Sequence, residues 1–402
     1  MRPLVLIGFA QSLAFPEAVF SLHQAGFRIC AFRRPGGMSL SWKGLPLEEV
    51  FEITAPEVST EQAVVDLRQA IASRTDIAVL MGVDDVSLWL VNEVASQLTR
   101  NGREIRVANA RGEACAVALD KARQVDLAKV AGLSVLPTVL VRQVADLAAV
   151  THFPSIARPA RAITLTASGA LGKGETLFFH AAGDLAKVTV VDPEEPLLVQ
   201  PLVHGVGVGA FGFAGAGGVD CLFGHRRLRM MNPHGSGASA CEVARPSEDL
   251  CNAVRAFIDA AGWVGPFMVE LLRDDEGRHW FVELNGRLWG SLALSRRNGF
   301  EYAAWAVEQA LDPAFVPRLP ANPPQRRQVR HLGREILHLL FLIKGPKTRF
   351  HAARWPRLLT SLRGVLTPCG PKGFYNFDAA YPGFFLREAY GTVMRTLRKG
   401  RS

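Results

Sequence analysis

The sequence predicts an α/β and α+β protein: a doubly wound N-terminal domain, a longer two-lobed body that contains a β-hairpin, and a basic, mainly helical C-terminal segment. Three observations carry this. The start alternates short apolar runs with helical stretches, residues 265–287 hold two apolar runs joined by a turn signal, and residues 321–402 carry 16 Lys and Arg against three acids.

LVLIG at 4–8 is a short apolar strand ending in Gly8; a helix-like stretch runs to about Gln24, Gly26 stops it, and FRICAF begins a second strand. This is a βαβ opening. DIAVLMG at 76–82 gives a third strand, which ends at Asp84 and Asp85 and leads into the helical SLWLVNEVASQL. Ligands of doubly wound sheets gather beyond the carboxyl ends of strands, so these acids either meet a substrate or cap the following helix. No GxGxxG follows the first strand, so a dinucleotide site is not supported.

A helical pattern covers 113–131, and LSVLPTVLV, PSIARPA, TLFF and LLVQPLV read as strands. Between them, residues 161–185 are rich in Ala, Gly and Thr and contain SGALGKG, a mobile loop by composition. The Gly-rich GVGVGAFGFAGAGG continues as a strand or hairpin, and the prolines from Pro313 to Pro324 mark a boundary before the basic segment.

In GPFMVELLRDDEGRHWFVELNGR, DDEG is a turn signal, so 265–287 forms a β-hairpin. With Glu276-Gly277 as a two-residue loop, Glu270 stands opposite Glu283, and the pleat brings Asn285, His279 and Phe281 to the same face. A longer loop shifts this register. Two carboxylates about 5 Å apart repel and call for a cation between them. Oxygen ligands from Glu270, Glu283 and Asn285 suit Mg²⁺, with Mn²⁺ as a substitute. The alternative is an exposed strand pair with Arg287 as countercharge.

ELNGR at 283–287 resembles the E-x-N-x-R element of ATP-grasp enzymes, in particular carbamoyl-phosphate-synthetase-like and biotin-carboxylase-like ligases. The longer ELNGRLWGSLALS is similar to a bacterial branch in which E-[IV]-N-G-R-F-W-G-S-L is typical. The resemblance implies a Rossmann-like domain over 1–114, an ATP-grasp N-lobe over 115–185, a C-lobe over 186–312 and the basic segment over 313–402. It also implies ATP as cofactor, Glu270, Glu283 and Asn285 as metal ligands, and Arg287 on phosphate or a bound carboxylate.

Other motifs fall in the order this family leads one to expect. LDKARQVDLAKVAGLSVLPT resembles the segment whose Lys reaches a nucleotide phosphate, here Lys121. PSIARPA resembles the strand with a second such Lys, replaced by Arg158, which keeps the charge in a planar fork. SGALGKG loosely resembles the lid over the phosphates, with Lys173 as the contact, or is a surface loop. LLVQPLVHG resembles the hinge strand that holds adenine, which implies Gln200, Pro201 and Leu202 beside the base with His204 near the ribose. HRRLRMMNPHGSGAS resembles H-R-R-L-R-E-x-P-x-x-G-G-x-S, with Met230 in place of the Glu. Period two sends His225, Arg227 and Arg229 to one face, a dense anion site.

The expected activity is an ATP-dependent carboxylate–amine or carboxylate–thiol ligase working through an acyl phosphate; the alternative is a nucleotide-binding scaffold or sensor without ligation. Its partners are a small carboxylate and an amine or thiol acceptor. Six scattered cysteines give no zinc or disulfide spacing, which fits a reducing cytoplasm. Residues 321–402 carry +13 and everything before them −4, so the basicity concerns that segment's partners alone. It has no nucleic-acid recognition motif. Within 326–364 the apolar run Ile336–Ile343, flanked by cations and Trp355, reads either as an amphipathic helix on an anionic membrane surface or acidic partner, which makes the protein peripheral at the inner membrane surface, or as a core helix.

Overall fold

The computed structural model describes residues 2–36, 42–100, 102, 104–166, 169–172, 174–235, 237–321 and 328–399. It is a mixed α/β structure with one parallel and several antiparallel sheets.

Strands β1 (Leu4–Gly8), β2 (Arg28–Arg33), β3 (Glu49–Glu52), β4 (Ile77–Gly82) and β5 (Arg106–Val107) form a parallel sheet of order β3-β2-β1-β4-β5. The order reverses beside β1, which makes the β1 and β4 ends a crevice for ligands. Helix α1 (Phe15–Gln24) starts at a Pro and packs on one face; α2 (Thr60–Ser73), capped by the Ser59 hydroxyl, and α3 (Asp85–Arg100) cover the other. The predicted helix over 113–131 is two helices, α4 (Gly112–Leu119) and α5 (Lys121–Val130). Asp120 turns extended between them and caps α5 by accepting from the Arg123 N–H at 3.1 Å. The break puts Lys121 at a helix start.

The next sheet, β10-β7-β11-β6, is built from β6 (Val139–Val141), β7 (Ser155–Pro159), β10 (Leu177–Phe179) and β11 (Leu197–Pro201), and it has its own small core around Val141, Phe179 and Val199. Strand β11, from within the 186–312 stretch, pairs with β6 and β7 of this sheet. The glycine-rich stretch expected to be a loop includes a ribbon of β8 (Thr164–Leu165) against β9 (Leu171–Gly172), whose Leu171 N–H donates to the Pro56 carbonyl of the N-terminal domain.

The largest sheet is β16-β15-β12-β13-β14-β17. It comprises β12 (Val206–Gly215), β13 (Gly218–Met230), β14 (Ala238–Val243), β15 (Gly265–Arg273), β16 (His279–Asn285) and β17 (Gln328–Arg330). Helix α6 (Glu248–Ala260) follows β14, capped by Ser247 with two acids in its first turn, while α7 (Leu292–Arg296) and α8 (Tyr302–Leu311) follow β16. The C-terminal segment is no appendage: β17 extends the sheet, α9 (Leu332–Lys344) packs on β14 and α12 (Pro382–Lys399), and α10 (Arg349–Ala352) and α11 (Leu358–Leu366) lie between. One core therefore draws Val5 from β1 and Phe20 from α1, Phe211 from β12 and Trp289 from the turn after β16, and Tyr375 and Phe384 from the C-terminal segment. No helix among the described residues is long and apolar enough to cross a membrane.

Candidate active site

The β15–β16 hairpin sets the site. Glu270 stands directly opposite Glu283, and Met268 opposite Asn285. The turn is wider than a two-residue loop: Asp274 N–H closes on the Arg278 carbonyl at 3.0 Å, and Asp274 also accepts from Arg278 and Trp280. A bulge between Glu270 and Leu271 offsets that difference and restores the pairing. It also turns the other end of the strand over. Phe281, expected on the face of the acids, is buried on the opposite side against Phe257, and His279 pairs with Arg273 beyond the bulge.

The motif after Glu283 is dictated residue by residue. Leu284 packs into the core under α5, and its N–H donates to the Gln124 amide oxygen at 2.8 Å. Gly286 has no room for a side chain, since a Cβ there would meet Ala118 Cβ at 2.4 Å. Arg287 returns to the cleft, and Trp289 is buried against Phe211. Ser291 Oγ lies 2.6 Å from His225 Nδ1.

Each acid faces a cation of the chain. Arg227 lies 2.6 Å from Glu270, and Lys121 Nζ lies 3.3 Å from Glu283. Arg287 pairs with Asp85 at 3.3 Å; burial works against its guanidinium, yet Asp85, Glu283 and Asp84 hold its pKa above the ordinary value. Asp84 accepts from the Ser87 N–H at 2.7 Å as a helix cap and also reaches Arg34 at 3.3 Å. Asp84 thus both caps α3 and borders the cleft, while Asp85 holds Arg287.

The anion face expected of His225, Arg227 and Arg229 is only partly formed. His225 is buried, and burial reinforced by Arg227 lowers its pKa to about 3, so the ring is neutral at pH 7. The ladder shifts between Arg227 and Arg229, and Arg229 turns to the buried Glu335 of α9 at 2.6 Å. It serves the packing of the C-terminal segment, while Arg227 stays at the cleft.

On the smaller sheet Arg158 donates to Gln200 Oε1 at 2.9 Å, and Gln200 Nε2 donates to Thr138 at 2.9 Å. Arg158 Nε is buried without a partner among the described residues, which leaves a donor for an anion. Pro201 pairs with Ser155, and the Leu202 N–H already donates to the Pro154 carbonyl at 2.8 Å, so that amide is not free for a base. His204 stacks on Phe350 of α10 with ring centroids 3.9 Å apart. Lys173 lies outside the described residues.

A cavity of about 540 Å³ opens between the hairpin, β13–β14 and the first sheet, and Glu270, Glu283, Asn285, Arg227 and Arg287 all line it. Arg334 of α9 lines it too, a residue that sequence reasoning passed over because it sits in the basic segment. Among the described residues no cluster of three or more His, Cys, Asp or Glu suits a metal. The hairpin offers two carboxylates, and Asn285 turns its amide nitrogen to Met268 Sδ at 3.6 Å, which frees its oxygen. This hard-oxygen set fits Mg²⁺ and is too small to enclose a cation alone, as for an ion that shares phosphate ligands.

In sequence, neither a protein-family profile nor a curated protein matches the chain. In structure, the chain is similar to the L-amino acid ligase of Bacillus licheniformis (TM-score 0.60, 16% identity, covering 78% of this chain and 76% of that one). It is similar also to the biotin carboxylase domain of the Hydrogenobacter thermophilus 2-oxoglutarate carboxylase, a complex with MgADP, ADP and bicarbonate (0.61, 14%, 80% and 72%). A third is the N5-carboxyaminoimidazole synthase of Aspergillus clavatus with ADP and its aminoimidazole ribonucleotide (0.59, 12%, 80% and 79%). The chain has the ATP-grasp fold.

Proposed function

We propose that this ATP-grasp chain is an ATP-dependent ligase that joins a carboxylate to an amine, or to a thiol, through an acyl phosphate. The observation that carries the reading is Glu270 opposite Glu283, with Asn285 and Arg287 beside them at one cavity and Lys121 paired with Glu283. ADP, MgADP and bicarbonate bound to the structural neighbours agree with it. Glu270, Glu283 and Asn285 would hold Mg²⁺ or Mn²⁺, which neutralises phosphate charge. Lys121, then freed from Glu283, and Arg158 take phosphate oxygens, and Gln200, Pro201 and His204 border the base. Arg287 or Arg227 orients the substrate carboxylate in line with the γ-phosphorus. A carboxylate oxygen attacks that phosphorus and ADP leaves; the acceptor nitrogen or sulfur then attacks the acyl carbon and phosphate leaves with the proton passing to solvent. Positioning and electrostatics suffice, and no protein nucleophile is needed.

The test is ADP release by the purified protein over a panel of carboxylates and amines. Release that depends on both an acid and an acceptor supports the ligase. Tight ATP binding with no turnover favours a nucleotide-binding scaffold instead.

The division into a Rossmann-like domain, two ATP-grasp lobes and a C-terminal segment belongs to the same proposal. For that segment we propose peripheral contact with an anionic surface. Ile343 (69% exposed), Leu359 (80%) and Leu366 (71%) stand beside the exposed Lys344, Arg357 and Arg363.

A further inference from the structure

We infer that Arg334 makes the C-terminal segment part of the substrate pocket, where it binds a second carboxylate, one that does not react, on the acid or on the acceptor. The inference rests on the ligase reading and specifies its substrate class.

Three arginines line the cavity, and two have acids: Arg227 has Glu270 and Arg287 has Asp85. Arg334 has none. Among the described residues no carboxylate lies within salt-bridge distance of it, and its recorded partner is the Ala238 carbonyl at 3.2 Å. The next residue on α9, Glu335, is already committed to Arg229. Burial lowers the Arg334 pKa from its ordinary value and Arg227 adds to this, outweighing the opposing pull of Tyr375 and of Glu388, which is itself held by His331, so the guanidinium sits partly desolvated with no carboxylate in direct contact among the described residues. Such an arrangement costs stability unless a ligand completes it.

The wall beside it is shaped to match. A Cβ on Gly237 would lie 2.8 Å from Arg334 Nη1, so the fork rests close against the backbone there and a larger residue would shift it. Met230, at the position where the resembling motif carries a Glu, also lines the cavity and supplies no countercharge.

The pocket's place fixes which molecule Arg334 meets. Arg158, Gln200 and His204, the residues proposed for the nucleotide, do not line this cavity, whereas Ser12 and Ala14 of the first sheet's ligand crevice do. The cavity therefore extends from the metal-binding pair away from the nucleotide. With Arg227 and Arg287 near the acids to handle the reacting carboxylate, Arg334 is left for another anion, and its planar fork matches a carboxylate through two parallel hydrogen bonds.

The experiment compares matched ligands. Succinate is set against butyrate as the acid and glycine against methylamine as the acceptor, by calorimetric titration with and without MgADP and by ADP release with ATP. In at least one pair the ligand with the extra carboxylate binds about 10- to 100-fold more tightly. Arg334→Gln abolishes that preference, Arg334→Lys restores part of it, and the KM for ATP stays unchanged. The wild-type pairs carry the test should a variant fail to fold. Equal affinity within every pair, including no binding by any ligand, overturns the inference, as does a preference that survives in Arg334→Gln. Failure of ATP to bind the wild type overturns the ligase reading instead, and the titrations without nucleotide still decide the role of Arg334.

Discussion

Lys121 Nζ lies 3.3 Å from Glu283 Oε2, so a cation proposed for phosphate rests on a carboxylate proposed for metal. Nucleotide and metal must arrive together to separate them without stranding either charge. Glu283→Gln therefore removes a ligand and frees the lysine, while the fold, with this pair 20% and 24% exposed, changes by about 1 kcal/mol or less. ADP release is expected to fall at least about 100-fold with the thermal midpoint nearly constant. An active Gln variant with unaltered Mg²⁺ dependence would sink the metal assignment.

Arg158 donates to Gln200, a residue proposed to border the base. Arg158→Ala is expected to weaken ATP binding by about tenfold, with Arg158→Lys recovering most of the loss if charge alone matters. Fluorescence titration with a nucleotide analogue measures this, and equal affinity in wild type and the Ala variant returns the residue to a structural role.

Glu17 joins three parts of the chain: Arg296 and Arg297 hold its carboxylate, and the Asn376 N–H donates to it at 2.7 Å. Burial pushes its pKa up, but the two arginines outweigh burial and keep it below the ordinary value. Glu17→Gln should cost about 3 kcal/mol at pH 7, because Arg297 loses its countercharge and the buried Arg296 is left with Glu301 alone. The sign follows from the lowered pKa. Glu17 stabilises above the unfolded value of about 4.3, and the effect disappears as pH falls through the lower folded value. Urea midpoints of wild type and variant should converge on acidification below about pH 4; a constant gap would contradict the proposed role.

For the exposed α9–α11 face, the full chain is expected to sediment with anionic vesicles at low salt and to be released at high salt. Leu359→Gln with Leu366→Gln should weaken this several-fold. Truncation before residue 328 is a poor control, since it deletes β17 and strands Arg229 without Glu335. If the full chain ignores anionic vesicles at low salt, the surface proposal is dropped.

The pairing of Glu270 with Glu283 was legible because the hydrophobic period and the DDEG signal constrain the hairpin from both ends. The bulge was not, since a period of two carries no mark of an extra residue; Phe281 was misplaced for that reason, and the shift after Arg227 misplaced Arg229 likewise. The C-terminal segment was hardest to read. Its cations look solvated in sequence, yet Arg330 is spent on the carbonyls of Gly364, Val365 and Thr367, and Arg334 reaches the Ala238 carbonyl of β14, far back in the chain. Partners so distant leave no local pattern.

Strand β17 completes the large sheet from ninety positions downstream, with Arg330 opposite Ala240, and Tyr375 then places its hydroxyl 2.9 Å from Cys241 Sγ. On the ribosome the hairpin with both acids emerges long before these pieces do. The edge of β14 must wait uncovered while α6 to α8 are made, and its open hydrogen-bonding groups are a surface to which other chains can pair. Maturation of the cleft thus waits for residues 328–375 to be made, and closing so long a loop makes it a slow step of folding.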